Sequence, residues 1–570
     1  MELGLVLTTL VLALCCPTLG SNWFAKMERV FGSLAGRQRI SVLVVGLAAL
    51  AARAAVLPIL PAPQPYVTDE FSQLLLADTL LHGRLANPTH PMWIHFETLQ
   101  VIMHPTYASM YPPAQGVFLF VGRIIGGHPF VGVWLSLGIM CGAICWMLQG
   151  WMAPGWALLG GFLAVIHFAV FSYWANSYWG APVAAAGGAL VLGALPRIIQ
   201  RVHWVDAVVM GLGLAVLANS RPYEGFFLAL PVAAALLAWL FKQRGTTLRT
   251  TIRRVVAPLA LLVLLATLAT GFYCWRVTGN PLRMPQQVDR ATYAVAPYFL
   301  WQHPRPIPAY RQEAMRELYV TYEMSVYNDT RSISKLIALW IIRSASFLLF
   351  YLGSALGLPL VLAVAVLPYG FRWESLQWTA RFLLFAVAAS IVGLGMEVFF
   401  SPHYAAPMTC LILALVMLSM RRVRDWTWRG RPVGVALTRA VPLICLSMLA
   451  LRAAAPAFHL PATKGGLWTG YNASLIKSPR VLVESELRSL PGNQLAIVRY
   501  ISRGSSSPQP GWVYNDADIE QAKIVWAWDM GAAENQELID WFKNRNVWLV
   551  EADDRAPHLS PYSNPRNAGK

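Results

Sequence analysis

Long apolar runs recur through most of this chain, and they constrain its fold more than any other feature. Stretches such as Val255 to Thr270 and Phe382 to Phe400 have the length and character of helices that cross a bilayer, which takes about 20 apolar residues. The chain is 56% hydrophobic and only 13% charged, whereas soluble domains carry roughly 25% charged residues. Lipid is therefore the expected solvent for most of it.

The net charge of +17 raises the question of a nucleic-acid partner. The placement of the basic residues argues against one. They fall in short clusters between apolar runs, at Lys26 to Arg39, Arg197 to Arg201, Lys242 to Arg254, Arg372 to Arg381 and Arg421 to Arg431. Short basic loops mark the cytoplasmic side of a membrane protein. Spans are expected near 40–60, 129–149, 155–173, 180–196, 204–219, 224–241, 255–274, 350–370, 381–400, 404–420 and 437–456, about 11 in all. Every basic cluster then lies inside, provided two stretches do not cross. These are 113–126, which is too short, and 336–349, which is interrupted by Arg343; both are read as interfacial helices. Outside lie 61–128, the turns at 174–180, 219–224 and 401–404, the loop 275–349, and the C-terminal region.

The fold expected is an all-α polytopic membrane protein with a small extracytoplasmic α/β C-terminal domain over 457–570. Residues 1–39 are read as an N-terminal segment with a cytoplasmic basic loop, and 40–456 as the membrane domain. The run Leu3 to Cys16 resembles a signal core without a preceding basic residue; an extra helix or a mis-assigned start fits equally. In the C-terminal region, Gln494 to Tyr500 and Val547 to Val550 read as strands, and Glu534 to Asn544 as a helix. The Pro-, Ser- and Asn-rich end is expected to be disordered. The seven cysteines sit in or beside apolar runs, which favours packing over a disulfide framework or a zinc site.

The strongest chemical signal follows the first span. Tyr66–Val67–Thr68–Asp69–Glu70–Phe71 opens a helix that ends at Gly83. Adjacent carboxylates at the mouth of a span are costly unless they do something, although helix capping alone accounts for acids in a first turn. Further along, Tyr111–Pro112–Pro113 opens a second helix. A first span, an acidic pair opening a helix, then a Pro-Pro pair opening another resembles the GT-C superfamily, and within it the protein O-mannosyltransferase and aminoarabinose transferase branch. The resemblance is best over 40–200 and weaker to about 456; Ala114 stands where that branch usually has Leu.

The resemblance implies a membrane glycosyltransferase that moves a sugar, hexose or pentose, from a polyprenyl-phosphate carrier to an extracytoplasmic acceptor. It also implies Asp69 as the catalytic residue and a bacterial inner membrane with the site facing outward. Such a transfer needs a base for the acceptor, positive charge for the leaving phosphate, and a groove for the lipid. Asp69 suits the base in an inverting displacement, and Glu70 either orients the acceptor or caps the helix. Arg221 and Tyr223 lie in Asn219–Ser220–Arg221–Pro222–Tyr223–Glu224–Gly225, and an arginine there suits a phosphate; a salt bridge to Glu224 or snorkelling is the plainer reading. Tyr111, the turn residues Asn176 and Trp179, and the His403–Tyr404 pair complete the expected substrate-binding set. The plainer readings here are a membrane-interface aromatic belt and a solvated helix cap. No cofactor is expected; His82, His90, His95, His104 and Glu97 crowd the first loop in no zinc spacing, and a divalent metal there is the lesser alternative. Asp516, Asp518 and Glu520 read as a solvated face, and the sequons at Asn328 and Asn472 as chance. The rival classes are a transporter or lipid-linked sugar flippase, against which the lack of related halves counts, and a non-catalytic relative that only binds lipid or sugar.

Overall fold

The computed structural model describes residues 2–365, 378–455, 457–458, 478–500, 511–552 and 557–562. The basic cluster from Arg372, the sequon at Asn472 and the last eight residues lie wholly or partly outside these.

Among the described residues, nine helices are long and apolar enough to cross a membrane. Eight coincide with expected spans, at Gln38–Ala55, Phe130–Trp151, Ala181–Arg201, Pro222–Leu240, Gly245–Thr278, Trp378–Gly395, Pro402–Arg424 and Val433–Ala454. The other expected spans appear as the shorter apolar helices Pro154–Phe168, Trp204–Ala218 and Gly353–Ala365.

The segment 336–349, read as interrupted by Arg343, is continuous within the 19-residue apolar helix Ile333–Tyr351, whose length and composition alone would allow it to cross. Arg343 does not break it, because its guanidinium donates to the backbone carbonyls of Glu397, at 3.0 Å, and Val398. A charge that turns inward and is satisfied by carbonyls is compatible with a span. By contrast Ala114–Gly126 has only 13 residues.

Burial separates the centre of the bundle from its rim. Ala181–Arg201 is 89% buried over its apolar window, and Gly245–Thr278 only 6%. A helix apolar on all sides and enclosed by others is a core element. Small residues let it pack backbone to backbone: a Cβ on Gly188 would fall 1.9 Å from the Pro407 carbonyl oxygen. This close approach is the usual way membrane helices gain contact where lipid supplies little hydrophobic drive. Residues 2–15 form a further helix, with Glu2 accepting the Ser354 and Ala355 N–H groups at 2.9 and 2.8 Å.

The C-terminal domain is α/β. Strands β1 (Val101–Ile102) and β2 (Ala108–Ser109) pair in the first loop; β3 (Asn493–Tyr500), β4 (Ile524–Trp528), β5 (Arg545–Ala552) and β6 (His558–Pro561) form a sheet of order β4-β3-β5-β6. The first two pairings in that order are parallel and the last antiparallel. Helices Pro479–Ser489 and Ala532–Trp541 flank it. Its core is continuous with the first outer loop: Leu495, Val525 and Leu538 pack with Phe71, Leu75 and Phe96.

Truncating one residue tests this shared core. Leu495 is fully buried, and Leu495→Ala is expected to cost about 2–5 kcal/mol. Limited proteolysis under denaturant should show the C-terminal domain and the segment 71–107 released together. Release of the domain with the loop still protected would contradict a common core.

Candidate active site

The helix that carries the acidic pair runs Thr68–Leu81 and is called the motif helix below. Its first turn is fixed by Glu70, whose Oε2 accepts the Tyr66 and Val67 N–H groups at 2.9 and 3.0 Å. This is the reach-back half of a capping box. Gly83, at φ +69°, follows its end in the left-handed conformation that glycine adopts without strain.

Asp69 lines a cavity of about 750 Å³, a size suited to a small-molecule substrate. The Tyr111 hydroxyl donates to Asp69 Oδ1. Burial pushes the Asp69 carboxyl above the usual carboxylate range; the Tyr111 hydrogen bond and, further off, the Arg221 charge pull it back. Tyr111 is aimed here because the Pro112–Pro113 pair leads into Ala114–Gly126, whose Ala114 N–H is held by the Asn219 carbonyl at 2.8 Å.

A second wall comes from the starts of two apolar helices. Arg221 caps Pro222–Leu240; its Nη1 lies 3.3 Å from Glu224 Oε1, and its guanidinium lies 4.4 Å from the Tyr404 ring centroid. The ion pair that was the plainer reading of Arg221 is therefore present, and the same arginine faces the cavity. His403 sits beneath Trp179 (centroids 4.8 Å apart), with Nδ1 3.3 Å from the Tyr173 hydroxyl. It is buried, not a solvated cap. Tyr223 donates to the Gly393 carbonyl at 3.1 Å and packs on Phe299. Gly180, at φ +82°, lets the chain turn where a Cβ would strike the Gln115 side chain at 2.8 Å.

Of the residues expected from sequence, Asp69, Tyr111, Trp179, Arg221, Tyr223, His403 and Tyr404 all line this one cavity, whereas Glu70 and Asn176 do not. Glu70 Oε1 accepts the Tyr178 N–H at 2.9 Å, so both its oxygens serve backbone amides. Asn176 accepts from Arg53 at 3.1 Å and donates to the Val170 and Ser172 carbonyls, which fixes the turn. Nor is this turn an interfacial belt, since Trp174 and Tyr178 are almost fully buried.

Sequence reasoning missed other lining groups. Glu397 enters from the segment after Trp378–Gly395; its Oε1 has no hydrogen-bond partner among the described residues. Burial, then the nearby Glu224 charge, push its carboxyl well above the usual range. An acid beside a span is itself a functional signal, and this one was readable. The loop between spans supplies the outer wall with Gln286, Arg290, Tyr298 and Arg305. Arg290 pairs with Glu323 at 2.6 Å and lies 4.7 Å from the Tyr298 ring centroid. No three His, Cys, Asp or Glu side chains among the described residues gather as a metal site. His90 instead bonds Glu520 at 2.9 Å, so that acid is part of the domain contact and not merely a solvated face.

No protein-family model and no curated protein matches this chain. Solved structures resemble it at low identity. The oligosaccharyltransferase from Archaeoglobus fulgidus in the apo form aligns with a TM-score of 0.46 at 11% identity, over 81% of this chain and 62% of that one. The chain thus spans less than two thirds of that protein's length. ArnT from Cupriavidus metallidurans aligns in the apo state (TM-score 0.44, 13% identity, 94% of each chain). It also aligns bound to undecaprenyl phosphate (TM-score 0.43, 12% identity, 95% of this chain and 98% of that one). At these scores the likenesses carry no conclusion about activity, which rests on the cavity.

The Tyr111 contact gives a pH prediction. Tyr111→Phe removes a donor that favours the ionised carboxyl, so Asp69 should titrate at higher pH. Infrared difference spectra, with Asp69→Asn as the blank, follow its carboxylate band. A midpoint unchanged or lowered would show that Tyr111 does not hold the charge.

Proposed function

We propose that this chain is a membrane glycosyltransferase, moving a hexose or pentose from a polyprenyl-phosphate carrier to a hydroxyl of an extracytoplasmic acceptor. The observation that carries this reading is the sharing of one cavity by Asp69 and Arg221. A base and a phosphate-binding cation stand in the same enclosed space, beside rings on which a sugar can rest.

In this mechanism Asp69 takes the proton of the acceptor hydroxyl as its oxygen attacks the anomeric carbon. The bond between that carbon and the phosphate oxygen breaks on the opposite face, so the anomeric configuration inverts. Polyprenyl phosphate leaves with its charge facing Arg221, which offers donors in a planar fork. Arg221 supplies the countercharge without a metal in this scheme. The Tyr111 hydrogen bond favours the ionised form of Asp69 against its burial, and Trp179 and Tyr404 flank the sugar. Glu70 acts through the backbone, holding the turn on which Asp69 sits.

Helix direction supports a cavity on the extracytoplasmic face. Ala181–Arg201 and Pro402–Arg424 begin beside Gly180 and His403 at the cavity and end in basic clusters. Pro222–Leu240 likewise begins at Arg221 and is followed by Lys242 and Arg244. By the positive-inside rule the far ends are cytoplasmic. In a bacterium this membrane is the inner one.

The test is sugar transfer from a panel of radiolabelled polyprenyl-phosphate sugars by the purified protein in lipid. Asp69→Asn should lower the rate at least about 100-fold, the lower range for loss of a general base, with expression and thermal stability kept. Arg221→Gln should raise the donor KM as well as slow turnover. Full activity in Asp69→Asn would remove Asp69 from the mechanism. Donor movement across proteoliposomes without transfer would replace the enzyme by a flippase.

A further inference from the structure

The motif helix has two occupied faces. Asp69 and Gln73 look into the cavity. Phe71, Leu75 and Asp78, at spacings that share a helix face, meet the C-terminal domain. The Phe71 ring stacks on Tyr514, with centroids 4.6 Å apart and planes at 14°. The Arg480 guanidinium covers the same ring at 4.9 Å from its centroid.

Both clamp residues are themselves fixed. Arg480 is buried, donating to the Trp512 and Tyr514 carbonyls at 3.1 Å each and to Glu484 at 2.7 Å. The Tyr514 hydroxyl donates to the Leu99 carbonyl at 3.0 Å and lies within reach of Thr68 and Thr98. At the other end of the motif helix, Asp78 Oδ2 accepts the Ala517 N–H at 2.8 Å, while its Oδ1 takes Arg123 at 2.6 Å. One short stretch, 514–517, therefore holds the helix at both ends. Neither Tyr514 nor Arg480 lines the cavity, so neither has a place in the chemistry itself.

We propose that the C-terminal domain is part of the transfer machinery, with Tyr514 and Arg480 as positioning residues that hold Asp69 in the cavity by clamping Phe71. This rests on the glycosyl-transfer reading. The physical argument is one of tolerance. Phe71 is two residues from Asp69, and its side chain is anchored by the domain rather than by the membrane bundle. A reacting group displaced by about 1 Å loses on the order of 100-fold in rate. Releasing the ring frees the first helical turn to shift and lets water reach Asp69. The groups facing Asp69 are Tyr111, Gln100, the adjacent Glu70, Arg221 and, at longer range, Tyr404; of these Tyr111, Arg221 and Tyr404 have no contact with the clamp and would stay in place. Donor binding depends on those groups, so the loss should fall on turnover.

The experiment uses the full-length protein in lipid and the same labelled donor panel, with wild type, Asp69→Asn, Tyr514→Ala and Tyr514→Phe. Tyr514→Ala should lose about 10- to 100-fold in kcat with an unchanged donor KM. Its acid limb should move to lower pH, because burial is the main cause of the raised Asp69 carboxyl and hydration relieves it. Tyr514→Phe keeps the stack and should keep the rate. If Tyr514→Ala does not accumulate as folded protein, Arg480→Met, which fills the space without the charge, carries the same expectation. If wild type turns over, Asp69→Asn is dead, and the clamp variants keep both kcat and the acid limb, the domain plays no positioning part. Equal losses in Tyr514→Ala and Tyr514→Phe with a fixed acid limb would show a merely structural contact and overturn the proposal. Wild type inert with every donor would refute the glycosyl-transfer reading, and this proposal with it.

Discussion

The Glu70 carboxylate accepts the N–H groups of Tyr66, Val67 and, 108 residues on, Tyr178. Three charge-assisted bonds on one buried anion are strong individually and expensive to leave unmade. They join the start of the motif helix to the aromatic turn before Ala181–Arg201. Once that joint is set, much of the cavity follows. Asp69 precedes Glu70 by one residue and so points elsewhere on the helix, toward Tyr111. Trp179 follows Tyr178 by one residue and closes over His403. The adjacent acids thus divide the work: one builds the corner and the other faces the space it encloses.

Two of the cavity's arginines, Arg221 and Arg290, are each paired with a carboxylate. Arg221 has Glu224 and the Tyr404 ring, and it feels Glu397 at longer range. Arg290, on the outer wall, has Glu323. A lone arginine beside lipid would carry a heavy desolvation cost, yet an arginine fully neutralised by its partner would have little left for a phosphate. Burial and the Glu224 charge push the Glu397 carboxyl up, and Glu224 is the carboxylate within ion-pair distance of Arg221. On the opposite side of the motif helix the C-terminal domain is attached through Trp528, which donates to the Glu97 carbonyl at 2.6 Å, as well as through the Phe71 clamp.

The parts of this architecture that local chemistry controls were legible in the sequence. The spans follow from apolar length, the motif helix from its acidic start and Gly83, and the cavity turns from Arg221–Pro222 and Pro402–His403, each at the start of a span. What was not legible depends on tertiary contact. Asn176 has the chemistry of a sugar ligand, but Arg53 and two carbonyls occupy it. Arg343 looked like a break in a span because its carbonyl partners lie more than 50 residues away. Gln286 and Arg290 come from the short helix Pro285–Tyr293, and Tyr298 from the irregular backbone after it, too little of either for a period to be read. Strand β4 was missed because Ile524–Trp528 is buried throughout, and such a short apolar run shows no alternation.

In the proposed mechanism a single carboxylate, Asp69, acts as base in a direct displacement at the anomeric carbon. The most direct measurement is the anomeric configuration of the product by NMR after transfer from a donor of known configuration. Inversion is the result this account predicts. Retention would require a second displacement through a glycosyl-enzyme intermediate, and it would contradict the role assigned to Asp69.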